Sequence, residues 1–279
     1  LLSMCVGALL ALCGTATQGL FRNPLADPSL IGVTSGASLG ASAVIVMAGT
    51  VSSSLLGLSL VSLGAFAGGM AAVWLVYVLS NSRSGTSVAT MLLAGIGISA
   101  LAGSATSVFE FYADNDMLRR MSLWRMGGLD GANYSRLSYA AIILCFLAVI
   151  LPRYSTALNA LLLGESEARH LGLNVTRVKR VVVVMVAAGM GVSVAVSGAI
   201  GFVGLVVPHV MRMIVGPDHR HLLPLSARAG ANLLVLADWL ARILLSPSEL
   251  PVGVITALVG APVFIALLRH RHQYGMQTS

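Results

Sequence analysis

Side chains able to do chemistry are few in this chain, and their spacing argues against most of it. Lys179 is the only lysine among 279 residues, and it sits in TRVKRVV with no glycine nearby. A phosphate-cradling loop needs G-x-x-x-x-G-K-[ST] after a strand, so the chain does not bind and hydrolyse ATP by that route. Cys5, Cys13 and Cys145 lie in apolar stretches, and an odd count without loop cysteines provides neither a disulfide framework nor a thiolate metal site. His219 and His221, and again His270 and His272, are two residues apart beside basic residues. On a helix that spacing points them to different faces, which favours interfacial charge over metal ligation. No nucleophile–base pair or metal-ligand cluster is recognisable, so the chain is not read as an enzyme by itself, and it is assigned no catalytic residue and no metal ligand.

Two polar features stand out from this background. Asp238 and Arg242 are four residues apart, which allows an intrahelical ion pair. An ionisable residue at membrane depth is also a functional candidate, and both readings of Asp238 stay open. The second feature is the charged island LLLGESEARHLGLNVTRVKR, Leu161 to Arg180, set between segments too apolar to be soluble. A short amphipathic stretch at a membrane surface is something a partner protein can push on.

The elements that position these residues follow from composition. The chain is 57% hydrophobic and 10% charged, with a mean hydropathy of +0.89. Soluble domains carry roughly 25% charged residues, so this is a polytopic membrane protein. Spans of about 20 apolar residues are expected near 1–20, 29–48, 55–79, 90–112, 137–151, 175–196, 202–215, 222–245 and 252–268. Abundant glycine and alanine without regular alternation favour packed helices over a β-barrel. The fold class is therefore all-α.

Basic residues set the orientation. Alternate loops carry Arg22, Arg83, Arg153, Arg169, Arg177, Lys179, Arg180, Arg212, Arg220, Arg228, Arg269 and Arg271. The remainder, Arg119, Arg120, Arg125, Arg136 and Arg242, fall on the other side. Twelve cations against four acids face five against six, so +8 and −1 account for the whole +7. The first set and the C-terminus are expected to be cytoplasmic, and nucleic-acid binding is not needed to explain the charge.

Two helix breaks carry information. In RNPLADPSLIGVTSGASLGAS, Pro28 suits a first helical turn, Asp27 can cap it, and Gly32, Gly36 and Gly40 form a row that lets another helix approach. In SGAIGFVGLVVPHVMRMIVGPDHRHLLP, Pro208 interrupts a short apolar segment that is not expected to cross the bilayer as a regular helix.

The ordered motifs RNPLADPSLIGVTSGA, LLLGESEARHLGL, GAIGFVGLVVPHVMR, DHRHLLP and ELPVGVITALVGAPVFIALL resemble the FecCD family of ABC importer permeases over essentially the whole chain. The resemblance implies a type II importer fold with about ten transmembrane helices, the first of which is expected to precede Leu1. It implies one transmembrane permease domain over residues 1–279, with cytoplasmic coupling helices at about 158–173. Implied partners are a second permease copy in a homodimer, two cytoplasmic ATPase subunits, a periplasmic substrate-binding protein and membrane lipid. The implied location is the bacterial inner membrane.

Site residues follow from the same resemblance. Leu163, Gly164, Glu165, Glu167, Ala168, Leu171 and Gly172 correspond to the coupling element, with Leu163, Ala168 and Leu171 entering a groove on the ATPase. Thr86 and Ser87 fall at a cytoplasmic gate, although the spacing to MLLAGIGISAL is about two residues longer than in the B12 permeases. Met91 opens a helix expected to line the translocation pathway, and Arg242 falls where arginine docks a glutamate of the binding protein.

RSGTSVATMLLAGIGISALAGSAT and YADNDMLRRMSLWRMGGLDGANY look most like the haem permeases. Haem is then the transported substrate, the chain itself binds no cofactor, and ATP and Mg sit on the partner subunits. Arg119, Arg120 and Arg125 either attract haem propionates or contact the partner. A ferric siderophore or vitamin B12 is the alternative cargo within the family. An ATP-independent secondary transporter is the alternative from another class, and the coupling island and lack of ion-coupling acids argue against it.

Overall fold

A computed structural model describes residues 1–48, 55–82, 85–244 and 249–275. Among these the architecture is helical throughout, apart from a two-residue antiparallel pairing. In chain order the helices are α1 (Leu2–Phe21), α2 (Val33–Ala48), α3 (Leu55–Ser80), α4 (Val88–Tyr112), α5 (Asn115–Met126) and α6 (Tyr134–Ile150). They continue as α7 (Ser155–Leu163), α8 (Glu165–His170), α9 (Val175–Ser197), α10 (Val203–Val215), α11 (His219–Leu244) and α12 (Val252–Gly275). The strands are β1 (Asn81–Ser82) and β2 (Gly85–Thr86).

Five helical segments are long and apolar enough to cross a membrane: Leu2–Phe21, Leu60–Ser80, Val88–Tyr112, Tyr134–Leu163 and Val175–Ser197. Val33–Ala48, Val203–Val215 and Val252–Ala266 are apolar but shorter. The protein is therefore a multi-pass membrane protein. At 1.5 Å per residue the 13 residues of α10 reach about 20 Å, short of a hydrocarbon core of about 30 Å.

α1 is the central helix, buried along nearly its whole length and packed against α11, α9, α10 and α6. Its small residues explain the position. A Cβ on Gly7 would run into the Gly230 carbonyl of α11, and one on Gly14 into the Gly204 carbonyl of α10. In a bilayer, lipid competes for apolar surface, so close backbone approach rather than hydrophobicity decides which helices sit inside.

The α2–α3 pair repeats the device, with Gly36 against Gly68 and Gly40 against Gly64. Gly32 does not belong to that row. It takes φ 79° after a single 3-10 turn, Pro28–Ile31, whose Ser29 N–H donates to Asp27 Oδ1 at 2.8 Å. The span expected from Ser29 thus starts as this separate turn, and α2 begins at Val33.

Beyond the expected elements, α5 occupies the segment between α4 and α6. Asp114 caps it, accepting from Met117 N–H at 2.8 Å. Arg136 stands in the first turn of α6 and donates to the Val196 carbonyl at 3.3 Å, so it is built into the helix packing rather than free in a loop.

Candidate functional site

The charged island folds into a helical hairpin. α7 ends at Gly164, with φ 132° and ψ 154°, a conformation side chains other than hydrogen rarely adopt. α8 follows with Glu165 and Glu167 in its first turn and Arg169 and His170 in its last, matching the helix dipole at both ends. Gly172 at φ 82° then turns the chain towards α9. Asn174 caps α9 by accepting from Arg177 N–H at 3.0 Å.

Leu163 and Leu171 project from this hairpin, 69% and 65% exposed. Ala168 does not. It is fully buried in the hydrophobic core, so it cannot enter a groove on another subunit. On a six-residue helix the faces diverge within one turn, and the one carrying Ala168 closes against the permease itself.

The hairpin is anchored by an ion pair that no motif in the sequence signals. Lys179 Nζ of α9 donates to Glu165 Oε1 at 2.6 Å, with the lysine side chain 4% exposed. Arg180 Nε donates to Tyr77 Oη of α3 at 3.0 Å, which ties the same end of α9 to α3. Asn159 of α7 bonds to Asp218 and His219 at the α10–α11 corner. Burial pushes the His219 imidazole down to about 4, and the nearby Arg212 guanidinium adds to the effect. The Asp218 carboxyl is held below its ordinary value, first by the Arg220 backbone N–H and then by Asn159.

The opposite end gathers a different set. Arg125 of α5 donates to Glu110 of α4 at 2.6 Å. Beside this pair lies a cleft of about 390 Å³ whose lining includes Thr34, Ser38, Thr106 and Ser107. A second cleft of about 330 Å³, between Asp27, Met190, Phe202 and Leu205, shares Thr34 and Ala199 with the first. Neither was legible in the sequence, because their walls come from segments far apart in the chain.

Arg242 is 45% exposed and already engaged. Its Nε donates to Asp238 at 3.1 Å and its Nη1 to Glu249 at 3.2 Å. The intrahelical pair read from the spacing is thus present, extended by Glu249 to a triad of net charge −1. Docking an acidic partner through Arg242 requires that these two carboxylates be exchanged.

At the other expected sites, Ser87 caps α4, its hydroxyl accepting from Thr90 N–H at 3.4 Å, while Thr86 pairs through its backbone with Asn81. The Thr86 side chain lies outside the described residues. Met91 is 1% exposed and part of the core, so in this chain it lines no open path. The open face of α4 is carried instead by Leu93, Ile96, Leu101, Val108 and Phe111, with Gly97 and Gly103 meeting nothing within 4 Å. The described residues contain no group of three or more His, Cys, Asp or Glu able to hold a metal ion.

Comparison with known proteins fits this geometry. The profile of the FecCD transport family matches residues 1–270. The chain is 47% identical to the hemin transport system permease of Yersinia pestis, over 98% of this chain and 81% of that one. It is 42% identical to the cobalamin import permease of Halobacterium salinarum, over 95% and 70%, and 41% identical to the vitamin B12 import permease of Salmonella paratyphi A, over 94% and 78%. Among solved structures, an inward-facing metal-chelate type ABC transporter superposes with a TM-score of 0.88 at 34% identity, covering 96% of this chain and 84% of that one.

Proposed function

Since this chain belongs to the FecCD transport family and is an ABC importer permease, we propose that it carries haem across the bacterial inner membrane after delivery by a periplasmic binding protein. In this reading residues 1–279 form one permease domain that pairs with a second copy and with two cytoplasmic ATPase subunits. The C-terminus and the α7–α8 hairpin face the cytoplasm.

The observation that carries the reading is the hairpin itself. Leu163 and Leu171 are large apolar side chains in water-accessible positions, held on a glycine-bounded turn that Glu165 and Lys179 clamp to α9. Exposed leucines on a rigid polar mount suit insertion into a partner's groove and have no use in an isolated chain. Leu163, Gly164, Glu165, Glu167, Leu171 and Gly172 form the contact, with Ala168 bracing it from inside. Thr86 and Ser87 stand at the cytoplasmic gate, and the open face of α4 lines the path. Arg242 serves docking at the outer end.

Haem as cargo is supported by the 47% identity to the hemin permease, against 42% and 41% for the cobalamin and vitamin B12 permeases. The cobalamin readings stand second. The deciding experiment reconstitutes the permease with its ATPase in liposomes and adds binding protein loaded with hemin, a ferric siderophore or cobalamin. ATP-dependent uptake of hemin alone is the expected result. Uptake of another cargo overturns haem and keeps the importer, while uptake without ATP overturns the importer mechanism.

A further inference from the structure

One side chain joins the coupling hairpin to the start of α11. Asn159 stands one turn before Leu163 on α7. Its Oδ1 lies 2.9 Å from His219 N and 2.8 Å from His219 Nδ1, and its Nδ2 lies 2.6 Å from Asp218 Oδ1. A backbone N–H only donates and a carboxylate only accepts, so the amide has a single satisfying orientation, and the imidazole carries its proton on Nδ1. Asp218 Oδ1 also accepts from Arg220 N–H at 2.9 Å, and Arg220 Nη2 reaches Thr156 Oγ1 of α7 at 3.4 Å.

The receiving side of this knot is firm. His219 is wholly buried, and a Cβ on Gly19 of α1 would strike its Nε2. Just before the knot, Gly216 takes φ 85° with open space around it, a place where α10 and α11 can change angle. Beyond it α11 continues through Pro224 as one helix of 26 residues, about 39 Å in all, and carries Asp238 and Arg242 near its opposite end. Apolar contacts between helices slide, whereas a half-buried cluster of short, directional hydrogen bonds, one of them to the Asp218 carboxylate, holds one geometry.

We propose that Asn159 is a positioning residue that transmits displacement of the α7–α8 hairpin, through Asp218 and His219, to α11 and so to the far end of the permease. The inference rests on the ATP-driven transport reading above. The Asn159 amide converts a push on the hairpin into rotation of α11 about Gly216, and a permease without it lets ATP be hydrolysed while α11 stays put.

The test compares Asn159→Asp, Asn159→Leu and the double variant Asn159→Asp/Asp218→Asn in the reconstituted complex. ATP hydrolysis and uptake are measured per assembled complex, with hemin, a ferric siderophore and cobalamin supplied in parallel. Asn159→Asp sets two carboxylates face to face, and the double variant restores a donor opposite an acceptor at unchanged net charge, although the Arg220 N–H then loses the Asp218 oxygen it now shares with Asn159. The expected result is about a tenfold loss of cargo moved per ATP in both single variants, with assembly and hydrolysis near wild type and the ratio recovered in part in the double variant only. A wild-type ratio in Asn159→Asp overturns the proposal. So does a parallel fall of assembly, hydrolysis and uptake, which marks a structural role, or a double variant whose ratio is no higher than that of Asn159→Asp alone. Uptake by the wild-type complex without ATP overturns the transport reading itself, and this inference with it.

Discussion

The carboxylate of Glu165 and the ammonium of Lys179 meet at 2.6 Å, the first at the start of α8 and the second one turn into α9. Their environments differ, since the lysine side chain is 4% exposed and the glutamate 28%. Removing the acid takes a carboxylate from a buried ammonium, whereas removing the cation leaves a carboxylate that water reaches. Glu165→Gln is therefore expected to lower permease stability by about 2–3 kcal/mol and Lys179→Met by less. Thermal unfolding of the purified protein in detergent checks the order, and equal losses would contradict it.

Leu171 and Ala168 lie three residues apart and are expected to fail differently. Leu171→Glu changes an exposed position, so the permease should fold with unchanged thermal stability and lose association with the ATPase. Ala168→Leu forces three carbons into a filled core and is expected to cost the permease itself about 1–3 kcal/mol. Co-purification and thermal unfolding, measured together, separate the two outcomes.

Glycines in the buried helix contacts should be intolerant and those on the open face of α4 tolerant. Gly7→Ala and Gly14→Ala drive a methyl into the carbonyls of Gly230 and Gly204, while Gly97→Ala and Gly103→Ala meet open space. The first two are expected to cut the yield of monodisperse permease severalfold. The second two should leave it unchanged, because the added methyl displaces no packed atom.

His219 gives a pH dependence of known sign. Its folded value of about 4 lies below the ordinary 6.5, so between those limits the unfolded chain binds a proton that the folded one does not. Stability from this residue is complete above about pH 6.5 and is lost as pH falls towards 4, by about 3 kcal/mol in total. His219→Gln should flatten that window of a stability-versus-pH curve. An unchanged slope between pH 6.5 and 4 would show that other groups set it.

Arg242→Glu places three carboxylates together where one cation now serves two. Association with the binding protein is expected to weaken about tenfold and to become less sensitive to salt, with recovery when the facing acid on the partner is reversed. Surface plasmon resonance at two salt concentrations measures this, and unchanged affinity would remove Arg242 from the docking surface.

Among the described residues, much of the helix layout was legible because apolar runs of the right length can do little else in a bilayer. Gly164 and Gly172 were readable as turn residues, and both occupy positive φ. The α5 helix is not apparent from hydropathy, although Asp114, three residues before its capped Met117, is an ordinary N-terminal signal. Its polar, basic character read as a connection between spans. Spacing alone groups Gly32 with Gly36 and Gly40, and only the backbone shows that it ends a turn instead of lining a helix contact.

By itself the sequence determined that this is an all-helical, multi-pass membrane protein, and its ordered motifs determined the family. Those conclusions rest on composition and on local order, which the chain carries wherever its segments sit in space. Tertiary structure alone decided that Ala168 and Met91 face inward, that Lys179 clamps Glu165, and that Asn159 reaches His219 sixty residues on. Which side of a short helix is buried, and which distant polar groups meet, depends on the close packing of α1 against α9, α10 and α11. That packing is set by backbone contact at a few glycines, and no pattern of hydrophobicity encodes their partners.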